Sequence, residues 1–154
     1  MTQVAYEVVD VFTTSRFGGN PLAVIVDARG MEDALMQRIA AEFGYSETTF
    51  VLPPDDPQHT ARVRIFTPTT EVPFAGHPNV GTAFVLARRG AVFGQKVGAQ
   101  MRFEERAGLV EVTVLRAADS VTGAAITAPR VLEVGPEVAV DLVAACASLS
   151  RADM

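Results

Sequence analysis

The stretch HPNVGTAFVLARRG, residues 77–90, constrains the fold more than any other part of the chain. Read as a helix, it carries small or apolar residues on most of its sides. Such a helix has to be buried rather than laid on a surface with one face to water. Gly81, Ala83 and Ala87 would let a neighbouring element approach closely. Pro78 suits the first helical position, where its missing N–H costs nothing. Arg88 and Arg89 suit the negative end of the helix, and Gly90 stops it. A chain of 154 residues, 49% of them hydrophobic and spread along its whole length, can bury this helix within one ordinary core.

The segments around it read mainly as strands. VAYEVVDVF, from about Val4 to Phe12, is rich in β-branched and aromatic residues. The turn chemistry of Gly18-Gly19-Asn20-Pro21 follows, then the continuously apolar LAVIVDA, a buried strand. MEDALMQRIAAEFGY has helical spacing at Met31, Leu35, Ile39 and Phe43, with Gly44 as its stop. SETTFVLP is a strand ended by Pro53-Pro54. TARVRIFTP alternates Val63 and Ile65 with Arg62 and Arg64, as a half-solvated strand does. Beyond Lys96 come VGAQMRFEE, GLVEVTVLR and SVTGAAITAP, the first two joined by the hairpin turn ERAG. Pro129 to Pro136 is an irregular connection, and EVAVDLVAACASL is a last helix. Strands, helices and hairpins intermingle, which predicts an α+β fold rather than a doubly wound sheet.

The charge is 13 − 18 = −5, with no block of like sign. Nothing gathers to bind nucleic-acid phosphates or a membrane surface. No apolar run approaches the roughly 20 residues that span a bilayer. The beginning MTQVAYEVVD has neither a basic stretch nor an apolar core of the secretory kind, so the expectation is a cytoplasmic protein. The single cysteine, Cys146, reads as a small buried residue on the last helix.

Among residues that can carry chemistry, His77 stands first. It lies between Gly76 and Pro78 near a helix start, where free N–H groups and the positive dipole end attract anions. It either orders that helix start or exchanges protons with a small ligand. Two glycines, the proline and Asn79 around one imidazole let backbone approach a ligand closely. Glu47 opens a strand of Thr, Phe, Val and Leu. It either points to solvent or is desolvated there, and a desolvated carboxyl is a better proton shuttle at neutral pH. Asn20, after the Gly-Gly turn, either belongs to an ordinary connection or presents amides to a ligand. Asp10 and Glu71 read as structural, and His59 sits in a polar loop. No spacing of Cys or His suggests a metal, and no glycine-rich phosphate loop or nucleophile elbow is present, so no metal and no cofactor is expected.

Three segments, VDVFTTSRFGGNPLAVI, MQRIAAEFGYSETTFVLPP and VRIFTPTTEVPFAGHPNVGTAFVLA, together resemble the PhzF-like phenazine biosynthesis isomerases, in order and spacing over about the first ninety residues. That family is related to diaminopimelate epimerase. The resemblance implies two similar domains, each a sheet curled around a central helix, with the site between them. It implies cofactor-free isomerisation by proton transfer, with Glu47 as the shuttle, His77 lining the site, and Asn20, Ala75 and Gly76 around the substrate. Asn79 joins these as a substrate-binding candidate. Ala75 stands where the related epimerases carry a thiol base, which favours a carboxylate base here. Residues 1–117 are expected to form a first domain and 118–154 the start of a second, truncated one. The function expected is an isomerase or epimerase acting on a small carboxylate-bearing substrate, complete only with a second domain or a partner. The alternative is an inactive half-length binding module that self-associates. A homodimer is expected on either reading, since the missing wall leaves surface to cover.

Overall fold

The computed structural model describes residues 3–131 and 133–153. Its main sheet is built from β1 (Tyr6–Val11), β2 (Asn20–Ile25), β3 (Glu47–Leu52), β4 (Ala61–Phe66), β5 (Glu71–Val72), β8 (Gln100–Glu105), β9 (Gly108–Ala117) and β10 (Ser120–Thr127). The order across it is β1-β2-β3-β4-β8-β9-β10, with β5 pairing to β4. Two pairings, β2 with β3 and β4 with β8, are parallel, and the rest are antiparallel. The short β6 (Ala91–Val92) and β7 (Gln95–Lys96) make a separate hairpin that the sequence reading did not separate from its surroundings. The fold is α+β, as expected.

The helix α2 (Gly76–Arg89) packs against β1, β2 and β3 from one end of the strand order and β9 and β10 from the other. Strands at both ends of the order reach the same helix, so the sheet curls around it. Eight residues of α2 are buried, among them Ala83, Val85, Leu86 and Ala87. Their apolar partners include Leu22, Val24, Val51, Val63, Ile65, Phe103 and Val112. Gly81 is where strand meets helix most tightly. A Cβ there would lie 2.5 Å from Leu22 Cδ2 and 2.8 Å from Val11 Cγ2. The small residues of the opening motif are therefore the condition for wrapping it. The helix begins at Gly76, two residues earlier than Pro78 suggested. The proline still falls in the first turn, where no N–H has an intrahelical partner. Gly90 closes the helix in the left-handed region, φ 74°.

The second helix, α1 (Asp33–Phe43), links the parallel β2 and β3 and packs on the outer face against β3 and β4. Met36 and Ala40 are its buried residues, and they meet Ile25, Phe50, Leu52 and Phe66. The sequence stripe had Leu35 facing inward; it is 44% exposed. The contact face is turned by about one residue, because Ile39 and Phe43 pack at its margin while Met36 fills its centre. β2 and β3 are thus covered on both faces, which explains their unbroken apolar runs.

The sheet continues through β10, past residue 117, and the last elements are α3 (Val140–Cys146) and a 3-10 turn (Arg151–Asp153). Cys146 corrects the sequence reading, since it is exposed. Ala144 is the residue of α3 that is buried. With only seven residues, α3 presents a narrower inward face than the thirteen-residue helix expected there.

Candidate active site at the start of the buried helix

The site arises from how α2 is pinned to β3. Thr49 and Thr82, both fully buried, share a hydrogen bond of 2.8 Å. Glu47 precedes Thr49 by two residues and projects from the same face of β3. At about 3.3 Å per strand residue it stands about 6.6 Å along from Thr49. His77 precedes Thr82 by five residues, about 7.5 Å along the helix. The two advances nearly match, and the side chains meet: His77 Nε2 lies 3.5 Å from Glu47 Oε2. Both side chains are largely shielded, at 9% and 19% exposure. Neither of these two atoms has a hydrogen-bond partner among the described residues. Burial holds the imidazole below its ordinary pKa of 6.5, and the nearby Glu47 charge only partly restores it. His77 is therefore neutral at pH 7, able to donate from one nitrogen and accept at the other.

The helix start above this pair is bare. The residue flanking it is Ala75, which has no side chain to cap with, and His77 is the second helical residue and makes no capping bond. The N–H groups of Gly76 and His77 are left free of intrahelical partners, at the positive end of the dipole. Asn20 is exposed at the head of β2, and its Oδ1 accepts from Ser46 Oγ at 3.0 Å, one residue before Glu47. Glu47, His77, Asn20, Ala75 and Gly76 thus belong to one end of the sheet. Asn79 is different. It is fully buried, and its Nδ2 donates to the Ala75 carbonyl at 3.0 Å.

Other groups named from sequence lie elsewhere. Asp10 accepts from the Phe17 amide at 2.9 Å. Glu71 is held by Arg64 at 2.8 Å and Arg106 at 3.1 Å, and the Arg64 bond keeps its carboxyl below the usual range. His59 pairs with Glu104 at 2.7 Å. No group of three or more His, Cys, Asp or Glu suited to a metal occurs among the described residues. One titratable residue escaped the sequence reading. Glu105, at the end of β8, has both carboxyl oxygens buried without a hydrogen-bond partner. Burial raises its pKa from 4.5 to about 7, and Asn79 beside it partly opposes the rise. The alternation Met101, Phe103, Glu105 carried the signal, since the first two face the core.

Comparison with known proteins gives the following. A family model described as phenazine biosynthesis-like protein matches residues 9–137. An uncharacterized isomerase of Mesorhizobium japonicum is 51% identical over 111 residues, covering 72% of this chain and 36% of that protein. Trans-2,3-dihydro-3-hydroxyanthranilate isomerase of Pseudomonas aeruginosa is 49% identical over 81 residues, 53% of this chain and 29% of the enzyme. Among solved structures, the PhzF-family phenazine biosynthesis protein of Bacillus anthracis matches with a TM-score of 0.67 and 32% identity, over 77% of this chain and 38% of that one. A hydroxyproline epimerase from Agrobacterium vitis matches with a TM-score of 0.60 at 13% identity, over 80% of this chain and 41% of its own, a likeness of fold alone. The chain spans between 29% and 41% of the length of these proteins. No helix among the described residues is long and apolar enough to cross a membrane.

Proposed function

The chain belongs to the phenazine biosynthesis-like family, and on that premise we propose that it carries the proton-transfer half of an isomerase site. Glu47, as carboxylate, takes a proton from an activated carbon of a small carboxylate-bearing substrate and, as acid, returns it elsewhere on the conjugated system. His77, neutral, holds a polar group of the substrate or passes a proton. The free amides of Gly76 and His77 stabilise developing negative charge, and Asn20, Ala75 and Gly76 surround the ligand. Only a proton moves, so the cycle needs neither metal nor coenzyme. The observation that supports this reading most is the shielded pair Glu47 and His77, 3.5 Å apart and without other partners, at a bare helix start. A second domain or a partner supplies the facing wall of the cleft. Exposed apolar residues in the C-terminal segment, including Val131, Val134 and Leu142, support such an association, with a second copy as the simplest partner.

The test is Glu47→Gln, which keeps shape and removes the base. With trans-2,3-dihydro-3-hydroxyanthranilate as first probe, drawn from the Pseudomonas relative, the unaltered protein incorporates solvent deuterium on turnover. Loss of general acid–base help lowers that rate by about 10²–10⁴. Undiminished exchange in the variant would remove Glu47 from the role. Should the unaltered chain bind the probe without any exchange, the reading of a self-associating binding module takes its place.

A further inference from the structure

Glu105, the last residue of β8, stands beside Asn79 in the first turn of α2, and the reaction proposed above does not use it. On β8, Met101 and Phe103 are buried, and Glu105 continues their face. Three acceptor atoms meet the interior there without partners: Glu105 Oε1, Glu105 Oε2 and Asn79 Oδ1. Asn79 Nδ2 gives one N–H to the Ala75 carbonyl, and its second N–H is the donor left to face the Glu105 carboxylate. Orphaned acceptors gathered in one place cost free energy that a single proton removes, since a neutral carboxyl group gains an O–H to donate. We infer that Glu105 takes up a proton and shares a hydrogen bond with the Asn79 carboxamide, and that Asn79, through its bond to Ala75, fixes the Ala75–His77 backbone that presents His77 to Glu47. Glu105 is then a positioning residue for the site, a role that rests on the function proposed above.

The charges around it point elsewhere. On its own strand and hairpin, Glu104 faces the other way to His59, and Arg106 reaches out to Glu71. On the adjacent β4, Arg62 pairs with Asp55 through Nη1 and keeps a buried Nε without a partner, and Arg64 pairs with Asp33 and Glu71. On α2, His77 is turned to Glu47 of β3. What acts on Glu105 is burial and, in the opposite sense, Asn79. The hairpin that follows Glu105 is tied to the same loop by the Ala107 N–H on the Pro73 carbonyl at 3.1 Å.

The experiment is a pH titration of the isotopically labelled chain by NMR, without substrate. The Glu105 side-chain carbon is expected to titrate near pH 7, well above the ordinary carboxylate range, and the Asn79 side-chain amide and the Gly76 amide to follow the same midpoint. In Glu105→Gln, which keeps a donor and cannot titrate, that step vanishes and both amides stay near their low-pH positions. In Glu105→Leu they are displaced at every pH. Titration of Glu105 near the ordinary 4.5 overturns the inference, as does a Glu105 step that Asn79 and Gly76 do not follow. If the leucine variant fails to fold, the unaltered chain and the glutamine variant still decide. No turnover is read, so failure of Glu47 in deuterium exchange would leave this proton link standing, and the reverse also holds.

Discussion

Replacing Glu105 by glutamine changes how stability depends on pH, and the size of the change follows from burial. The folded carboxyl titrates near 7 against 4.5 ordinarily. Folding therefore raises its proton affinity. The stability this contributes is fully present below about pH 4.5 and is lost as pH rises through 7. Each pH unit between those limits removes about 1.4 kcal/mol. From pH 5.5 to 8.5 the native chain loses about 2 kcal/mol through this one group, and Glu105→Gln loses none of it. Taking the difference between the two proteins cancels every other titrating residue. Urea unfolding at both pH values reads it: at a slope of about 2 kcal/mol/M, the midpoint of the variant gains about 1 M on the native chain over that interval. A difference that stays flat to within about 0.5 kcal/mol, inside the usual scatter of such measurements, would mean that the carboxyl is solvated in the folded state and that the account of its burial is wrong.

Further outcomes follow from other contacts. Gly81→Val forces side-chain carbons into Leu22 and Val11 and lowers stability by about 1–3 kcal/mol, read as a fall in melting temperature. Phe50→Ala empties the centre between α1 and the sheet and costs about 3–5 kcal/mol in denaturant unfolding. Because burial holds the His77 pKa below 6.5, the native chain binds fewer protons there than the unfolded one. The stability His77 contributes is present above about pH 6.5 and falls on acidification, and His77→Gln flattens that part of the stability curve in calorimetry.

Much of this architecture is legible in the sequence, for identifiable reasons. The buried helix shows because small and apolar residues fill most of its sides, and Gly81 turns out to mark a contact between helix and strand that no larger residue fits. Arg62 and Arg64 alternate with Val63 and Ile65 because one face of β4 is wet. Cys146 misled because an Ala- and Cys-rich run reads as core, whereas α3 buries Ala144 and leaves the thiol outside. At the site, Glu47 and His77 are individually visible as polar residues at element starts. Their meeting is not, since it depends on the Thr49–Thr82 bond that sets how far the helix slides along the strand. Asn79 is visible as a polar residue near the helix start, whereas its bond to the Ala75 carbonyl is not, since it depends on the helix beginning two residues before Pro78. Glu105 stayed hidden because Glu104-Glu105 reads as an exposed acidic pair unless the alternation is carried through from Met101.

The curl of the sheet around α2 has a consequence for the order of events in folding. β1 and β10, which both rest on this helix, are separated by more than a hundred residues. Closing so long a span is entropically slow, and nothing rewards it until the helix is present to be enclosed. On a ribosome the first four strands and the helix emerge before β8, β9 and β10 exist. The nascent intermediate therefore displays an oily rod lying on an open half-shell, and the last three strands act as a closing hand.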